Sequence, residues 1–340
     1  MTGSIRKNKK RTILFLSLLL PLLLLLISLS LGTLKVSVRE ALEILAARIS
    51  GVNQVLLSSP AANIVLNIRL PRVLLALLAG AAFSVSGASL QSLFRNPLVN
   101  EYVLGVSFGA GFGAAASLIL FSRSFPPQVL AFACGLLAVV LVLVISEGAR
   151  NTLVAVLLTG IIVSALFQAL LSALEFVASP YALQSLFFWL LGSFSQATWT
   201  DLLWSGPLIL AGLTLLIKMG WRINALSLSD DEARSLGLAV KRERILIICL
   251  AALITSAVVS IAGIIGWVGL IVPHAVRGLV GADNRLVLPV SAGLGASLML
   301  LADDLIRVLS PFEFPVGILT NLVGIPFFLF LIKRARSSWS

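Results

Sequence analysis

Ten apolar stretches, most of them roughly 16 to 25 residues long, follow one another through this chain with only brief polar punctuation between them. A helix needs about 20 such residues to cross the hydrocarbon core of a bilayer, and no soluble core of this length could bury so many. The runs show no alternation of the kind a barrel strand requires. Charged residues make up 11% of the chain, against about 25% in soluble domains. The sequence therefore predicts an all-α integral membrane protein, one transmembrane domain over residues 1–340, with ten helices spanning 13–31, 65–94, 103–121, 129–145, 153–177, 202–217, 245–265, 266–280, 286–302 and 316–332. Segment 35–50 has helical periodicity with mixed charge and is expected on the outer surface. Segment 181–191 is too short to cross and is expected as an interfacial helix capping the bundle outside.

The punctuation sets the orientation. Arg6, Lys7, Lys9, Lys10 and Arg11 precede the first span, and Lys218, Arg222, Arg234, Lys241, Arg242 and Arg244 crowd the one long polar loop, 218–244. Basic loops stay on the cytoplasmic face. Tails 1–12 and 333–340 and loop 218–244 are then cytoplasmic, and the first run, at 19 residues, is a retained span rather than a signal peptide. The net charge of +11 lies at membrane-facing ends and not in a nucleic-acid footprint, so no nucleic-acid partner is expected.

Several chemistries are missing. Cys134 and Cys249 sit inside apolar segments, and with the single histidine, His274, they have no metal-site spacing, so no metal site is expected. His274, beside Pro273, is read as a structural hydrogen-bonding residue. No Gly-Lys pair occurs, which removes the phosphate-binding loop of an ATPase. Nothing assembles a nucleophile, base and orienter, so the chain is not read as an enzyme.

Four local patterns remain. Ser229-Asp230-Asp231-Glu232 is a capping box, in which the serine hydroxyl and the glutamate carboxylate each accept the other residue's amide. Asp230 and Asp231 suit a helix start, and Gly237 can take the left-handed turn that ends one. The loop thus carries a short helix, residues 230–236, that either docks a partner or lies on the headgroups. Small residues recur every fourth position at Gly80, Ser84 and Ala88 and at Gly105, Gly109 and Gly113, which lets helices approach closely. Ser164, Gln168 and Ser172, with Glu175 three residues on, form one polar stripe that either bonds neighbouring helices or lines water. Arg69, Arg72 and Arg307 fall at the outer face against the positive-inside trend. They can receive carboxylates bidentately, anchor helix ends, or, for Arg307, pair with Asp303 one turn away. Glu175, Asp303, Asp304 and Glu313 also fall near outer span ends, where water can reach them. Their presence raises a proton-coupled secondary transporter as the alternative function.

Seven segments in order resemble the permease subunits of FecCD-type ABC importers. They are RLPR (69–72), GASLQSLFRNPL (87–98), LGVSFGAGFGA (104–114), WLLGSF (189–194), DDEARSLGL (230–238), GWVGLIVPHAVRGLVGADNR (266–285) and EFPVGILTNLVGIPFF (313–328). The resemblance implies a type II importer bundle that takes up a metal chelate, foremost a ferric siderophore, with cobalamin or haem as alternatives. It implies a bacterial cytoplasmic membrane and, as partners, a second permease chain identical or related, two cytoplasmic ATPases and an external substrate-binding protein. ATP and Mg would sit on the partner ATPase, with no cofactor on this chain. By the same resemblance Ser229, Asp230, Asp231, Glu232, Ala233, Arg234, Ser235, Leu236 and Gly237 couple to the ATPase, and Arg69, Arg72 and Arg307 dock the binding protein. Ser164, Gln168 and Ser172 line the passage. Two stretches depart from the family pattern: Val99-Asn100-Glu101 stands where Ala-Asp-Pro is usual, and Gly263-Ile264-Ile265-Gly266-Trp267 stands where Gly-Pro-Ile-Gly-Phe is common.

Overall fold

The second apolar run is rich in Ala, Gly and Ser from Ala76 to Ser89. Side chains this small let neighbours close in on every side, and a helix built from them belongs at the centre of a bundle. The computed structural model describes residues 2–32, 34–51, 54–121, 125–148, 152–309 and 314–336. Besides a single turn at Gln54–Leu57, its helices are α1 (Thr2–Ser30), α2 (Val38–Ser50), α3 (Pro60–Leu93), α4 (Val106–Leu120), α5 (Pro127–Gly148), α6 (Leu153–Val177), α7 (Pro180–Leu190), α8 (Trp199–Lys218), α9 (Gly220–Leu226), α10 (Asp230–Ser235), α11 (Val240–Ala262), α12 (Val268–Val280), α13 (Asn284–Leu309) and α14 (Val316–Arg336). Seven of them, α1, α3, α5, α6, α8, α11 and α13, are long and apolar enough to cross a membrane. The apolar parts of α4, α12 and α14 are shorter.

The small-residue run lies in α3, whose neighbours are α13, α11, α12, α8 and α1. At its crossing with α13 the backbones nearly touch: a Cβ added to Gly80 would lie 2.1 Å from the Gly295 carbonyl oxygen. Among lipid tails such packing, with hydrogen bonds like the one from Thr255 to Ser86 at 3.1 Å, supplies the association that water would otherwise drive. Peripheral helices are sparsely covered, and Leu158, Ile161 and Ile162 of α6 are all more than half exposed.

The helix of the first span begins at Thr2 and so includes the basic stretch. Segment 181–191 forms α7, which is exposed along most of its length with Leu186 buried; just beyond it the chain turns into the bundle, where the Ser193 amide donates to Ala262 O at 2.8 Å and Gly317 to Gly192 O at 3.3 Å. Two expectations change. The eighth span starts only at Val268, because Gly263 (φ 72°) and Trp267 (φ 70°) unwind the chain ahead of it. A left-handed tryptophan is strained, and irregular backbone at this depth is tolerated only inside protein or against a water-filled space. Last, His274 is exposed and makes no hydrogen bond among the described residues, so the structural bond expected for it is not there.

The ends sort by charge. Loop 218–244, Arg95, Glu147, Lys241 and Arg277 gather at one end, hereafter the basic end. Arg69, Arg72, Arg307, Asp303 and the chain after α1 gather at the other.

Candidate functional site

At the basic end the capping box forms in full: Ser229 Oγ accepts the Glu232 amide at 3.3 Å, and Glu232 accepts the Ser229 amide at 2.9 Å. The far end closes with the Leu238 amide on Ala233 O (3.2 Å) and the Gly237 amide on Arg234 O (2.9 Å), the Schellman pairing. Gly237 has φ 82° and nothing within 4 Å of where a side chain would stand, so glycine is needed there for its backbone alone. Helix α10 therefore ends at Ser235 with Leu236 as its cap, one residue inside the expected limit. Ala233 is buried; Asp231, Glu232, Arg234, Ser235 and Leu236 are exposed. The short helix is thus packed at Ala233, free over most of its surface, and tied by one polar pin.

The pin is Asp230. Arg244 of α11 donates two hydrogen bonds to its carboxylate at 2.9 and 2.5 Å, and Arg95, just beyond α3, stands 3.7 Å away. Arg95 carries φ 52° at the helix exit and also donates to the Leu228 and Leu226 carbonyls. The Arg244 hydrogen bonds, above the other contributions, hold the Asp230 carboxyl below the usual carboxylate range. Displacing α10 therefore pulls on α3 and on α11. Behind it a second network runs through Arg277, which donates to Ala88 O and to Ser92 and Gln91 of α3, while Ser92 bonds Asn284. These buried links make the basic end of α3, α12 and α13 one mechanical unit.

At the opposite end the structure spends the three expected docking arginines inside the chain. Arg69 donates to Leu29 O, Ser30 O and Leu34 O at 2.5 to 3.1 Å. Arg72 takes Asp303 bidentately, Nη2 donating to Oδ1 at 2.8 Å and Nε to Oδ2 at 3.1 Å; Arg307 pairs with Asp303 at 3.0 Å, bonds Asp304, and caps Ser28 O and Leu31 O. Ser28 completes the group with a 2.5 Å bond to Asp304. All of these side chains are at most 12% exposed. Helix α1 ends in unpaired carbonyls, and the arginines of α3 and α13 satisfy them. The expectation that water reaches Asp303 and Asp304 is corrected: both are buried in ion pairs. Glu175 is half-buried, and Glu313 lies outside the described residues.

The stripe on α6 divides. Ser164 is buried, donating to Gly160 O at 2.7 Å and Tyr102 O at 3.2 Å, while Gln168 and Ser172 are exposed on the open face of the helix. A rotation of 100° per residue explains this, since i+4 steps advance about 40° each and carry the stripe off the packed side.

One group escaped the sequence reading. Glu101, in the single turn Glu101–Leu104 ahead of α4, is 2% exposed and neither carboxylate oxygen has a hydrogen-bond partner. It faces the Gly269 backbone, and burial pushes its carboxyl up to about 7. Its only signal was the departure at 99–101, where an acidic side chain stands in place of the usual proline.

The comparisons with known proteins agree over nearly the whole chain. The FecCD transport family matches residues 18–334. The molybdate import system permease MolB of Haemophilus influenzae is 38% identical over 91% of this chain and 92% of its own. The hemin transport system permease HmuU of Yersinia pestis is 40% identical over 82% and 85%. A solved inward-facing metal-chelate type ABC transporter superposes with a TM-score of 0.83 at 36% identity, over 95% of this chain and 99% of the other.

Proposed function

The chain belongs to the FecCD transport family and is a multi-pass ABC importer permease of the metal-chelate kind; from that premise we propose that it carries a ferric siderophore and is driven through α10 by a partner ATPase. The observation that carries the coupling reading is the exposed helix, capped at both ends and pinned through Asp230 to α3 and α11. A rigid helix with one fixed point converts a push on its outer face into movement of two spanning helices at once. The basic end then faces the cytoplasm, with both chain termini on that side of a bacterial cytoplasmic membrane. ATP and Mg belong to two ATPase subunits docked there, and a second permease chain completes the passage.

The substrate reading draws on relatives named for iron chelatin (Helicobacter pylori), hemin and cobalamin, and the molybdate permease among them marks how far cargo varies on one scaffold. The passage runs along the open face of α6, past Gln168 and Ser172, toward the broken backbone around Gly263–Trp267. Small uncharged groups suit a bulky chelate that must pass without being held. Single cysteines at Gln168 and Ser172 are expected to react with water-soluble thiol reagents, while one at Ser164 stays protected; equal protection of all three would move the passage elsewhere. At the outer face the arginine cluster carries three guanidiniums against two carboxylates. All three are at most 12% exposed and committed within the chain, so docking an acidic binding protein through them would first require those bonds to open.

Proton-driven secondary transport loses its aspartates, because Asp303 and Asp304 are committed to arginines. Uptake by reconstituted vesicles tests the proposal. Uptake of a ferric siderophore should require the ATPase, ATP and the binding protein together, and uptake driven by a proton gradient alone would refute it.

A further inference from the structure

Beside α10 lies a cleft of about 820 Å³ between the basic ends of α5, α6 and α11. Its floor is apolar, built from Leu143, Leu153, Val156, Ile245 and Ile248, and its rim carries Arg234, Lys241, Arg242 and Arg244. The two parts ask for different things of an occupant. The rim wants negative charge, and the floor wants hydrocarbon.

The cations are available to a ligand in different degrees. Arg244 is committed to Asp230. Lys241 pairs with Glu147 and Arg234 with Asp231, but every member of these two pairs is more than half exposed. Exposed pairs of this kind contribute little and exchange readily. Arg242 is exposed and has no partner among the described residues. Next to the floor residues Leu143 and Leu153 along the chain, Val144, Ile145 and Val154 are 64%, 55% and 65% exposed, more apolar surface than protein covers. A soluble anion would leave that apolar floor wet, and an ATPase approaching from the end would not reach along it. An amphiphile with an anionic head and acyl tails meets both demands.

We infer that this cleft seats an anionic phospholipid of the leaflet at the basic end, its phosphate among Lys241, Arg242 and Arg234 and its chains along Leu153, Val156 and Ile248. The inference rests on the placement of this end at the membrane surface made above. Basic clefts between spanning helices on the cytoplasmic side are where such headgroups bind. The seat touches α10 through Asp230 and Arg234, so lipid occupancy stiffens the same helix that receives the ATPase.

The test uses the full-length chain purified in a neutral detergent, with no ATPase and no uptake, so its failure is separable from failure of the transport reading. Phosphatidylglycerol, phosphatidylcholine and inorganic phosphate are titrated separately, with thermal midpoint and native mass spectrometry as readouts. Phosphatidylglycerol should be retained and raise the midpoint, and phosphatidylcholine should do neither. In the Lys241→Gln/Arg242→Gln variant its affinity should fall about thirtyfold, the loss of two surface cations. Arg242→Gln alone, a change at an exposed and unpartnered side chain that folding does not depend on, should cost about fivefold. Equal binding of the two lipids, the same shift from inorganic phosphate, or unchanged affinity in Arg242→Gln would each overturn the assignment.

Discussion

The two ends of this molecule use the same chemistry, arginine against aspartate, to opposite effect. At the end opposite the basic one Asp303 is shared by Arg72 and Arg307, and the aspartate side chain is 1% exposed. At the basic end Asp230 is shared by Arg244 and Arg95, and its side chain is 42% exposed. Burial decides what each arrangement can do. The dry cluster locks the end of α1 onto α3 and α13, and nothing there can move without stranding a charge. The wet cluster ties α10 to α3 and α11 while costing little to bend, which suits a joint that must move in every cycle.

The largest effect is therefore expected from Asp303→Asn. It leaves two buried guanidiniums short of a counter-charge, and loss of one partner from a buried pair costs about 3–5 kcal/mol. Thermal unfolding in detergent should show a large drop in midpoint, and a midpoint near wild type would mean that the cluster is not the lock described. Next comes Glu101, which has neither kind of partner. Its folded pKa, about 7, is raised above the unfolded value, so the protonated form is favoured by folding. The associated stability is full below about pH 4 and is lost as pH rises through about 7, in total on the order of 3 kcal/mol. Glu101→Gln should flatten stability against pH over that window; an unchanged pH profile would show that the carboxyl is solvated or paired.

A smaller effect is expected from Gly237→Val. No neighbour stands within 4 Å, so the cost is the left-handed backbone alone, about 1–2 kcal/mol. It should fall on α10 locally, and hydrogen exchange should quicken at the Gly237 and Leu238 amides while the spanning helices keep their protection. Uniform loss of protection would mean that α10 is integral to the fold and not an appended joint.

The contrast also explains what could be read in the sequence. The caps of α10 were legible because each hydrogen bond closes within five residues, from Ser229 to Glu232 and from Ala233 to Leu238. The Arg307–Asp303 pair was legible as an i,i+4 contact. The partners of Arg69 lie 35 to 40 residues away and that of Arg72 lies 231 away, so nothing local distinguishes a free cation from a spent one. Helix α7 reads as interfacial from its length, and most of its residues are exposed. The turn after it is another matter: Gly192 fits so closely against Ile264 O that an added Cβ would lie 2.6 Å away, a contact no local pattern announces. Membrane class and most helix positions followed from apolar runs, whereas the break at Gly263–Trp267 depends on neighbours that composition does not encode. Glu101 shows the same limit: the backbone it is buried against, at Gly269, lies far along the chain.

The central claim is that Asp230 transmits force, and Asp230→Ala tests it most directly in proteoliposomes holding the permease, its ATPase and the binding protein. The variant leaves Arg244, 12% exposed, without its partner and so loses some stability, but Ser229 and Glu232 still cap the helix, and the assembled complex should hydrolyse ATP. Uptake should nonetheless fall about tenfold or more, because the tie from α10 to α3 and α11 is gone. Full ATP-driven uptake by the assembled variant would contradict the account.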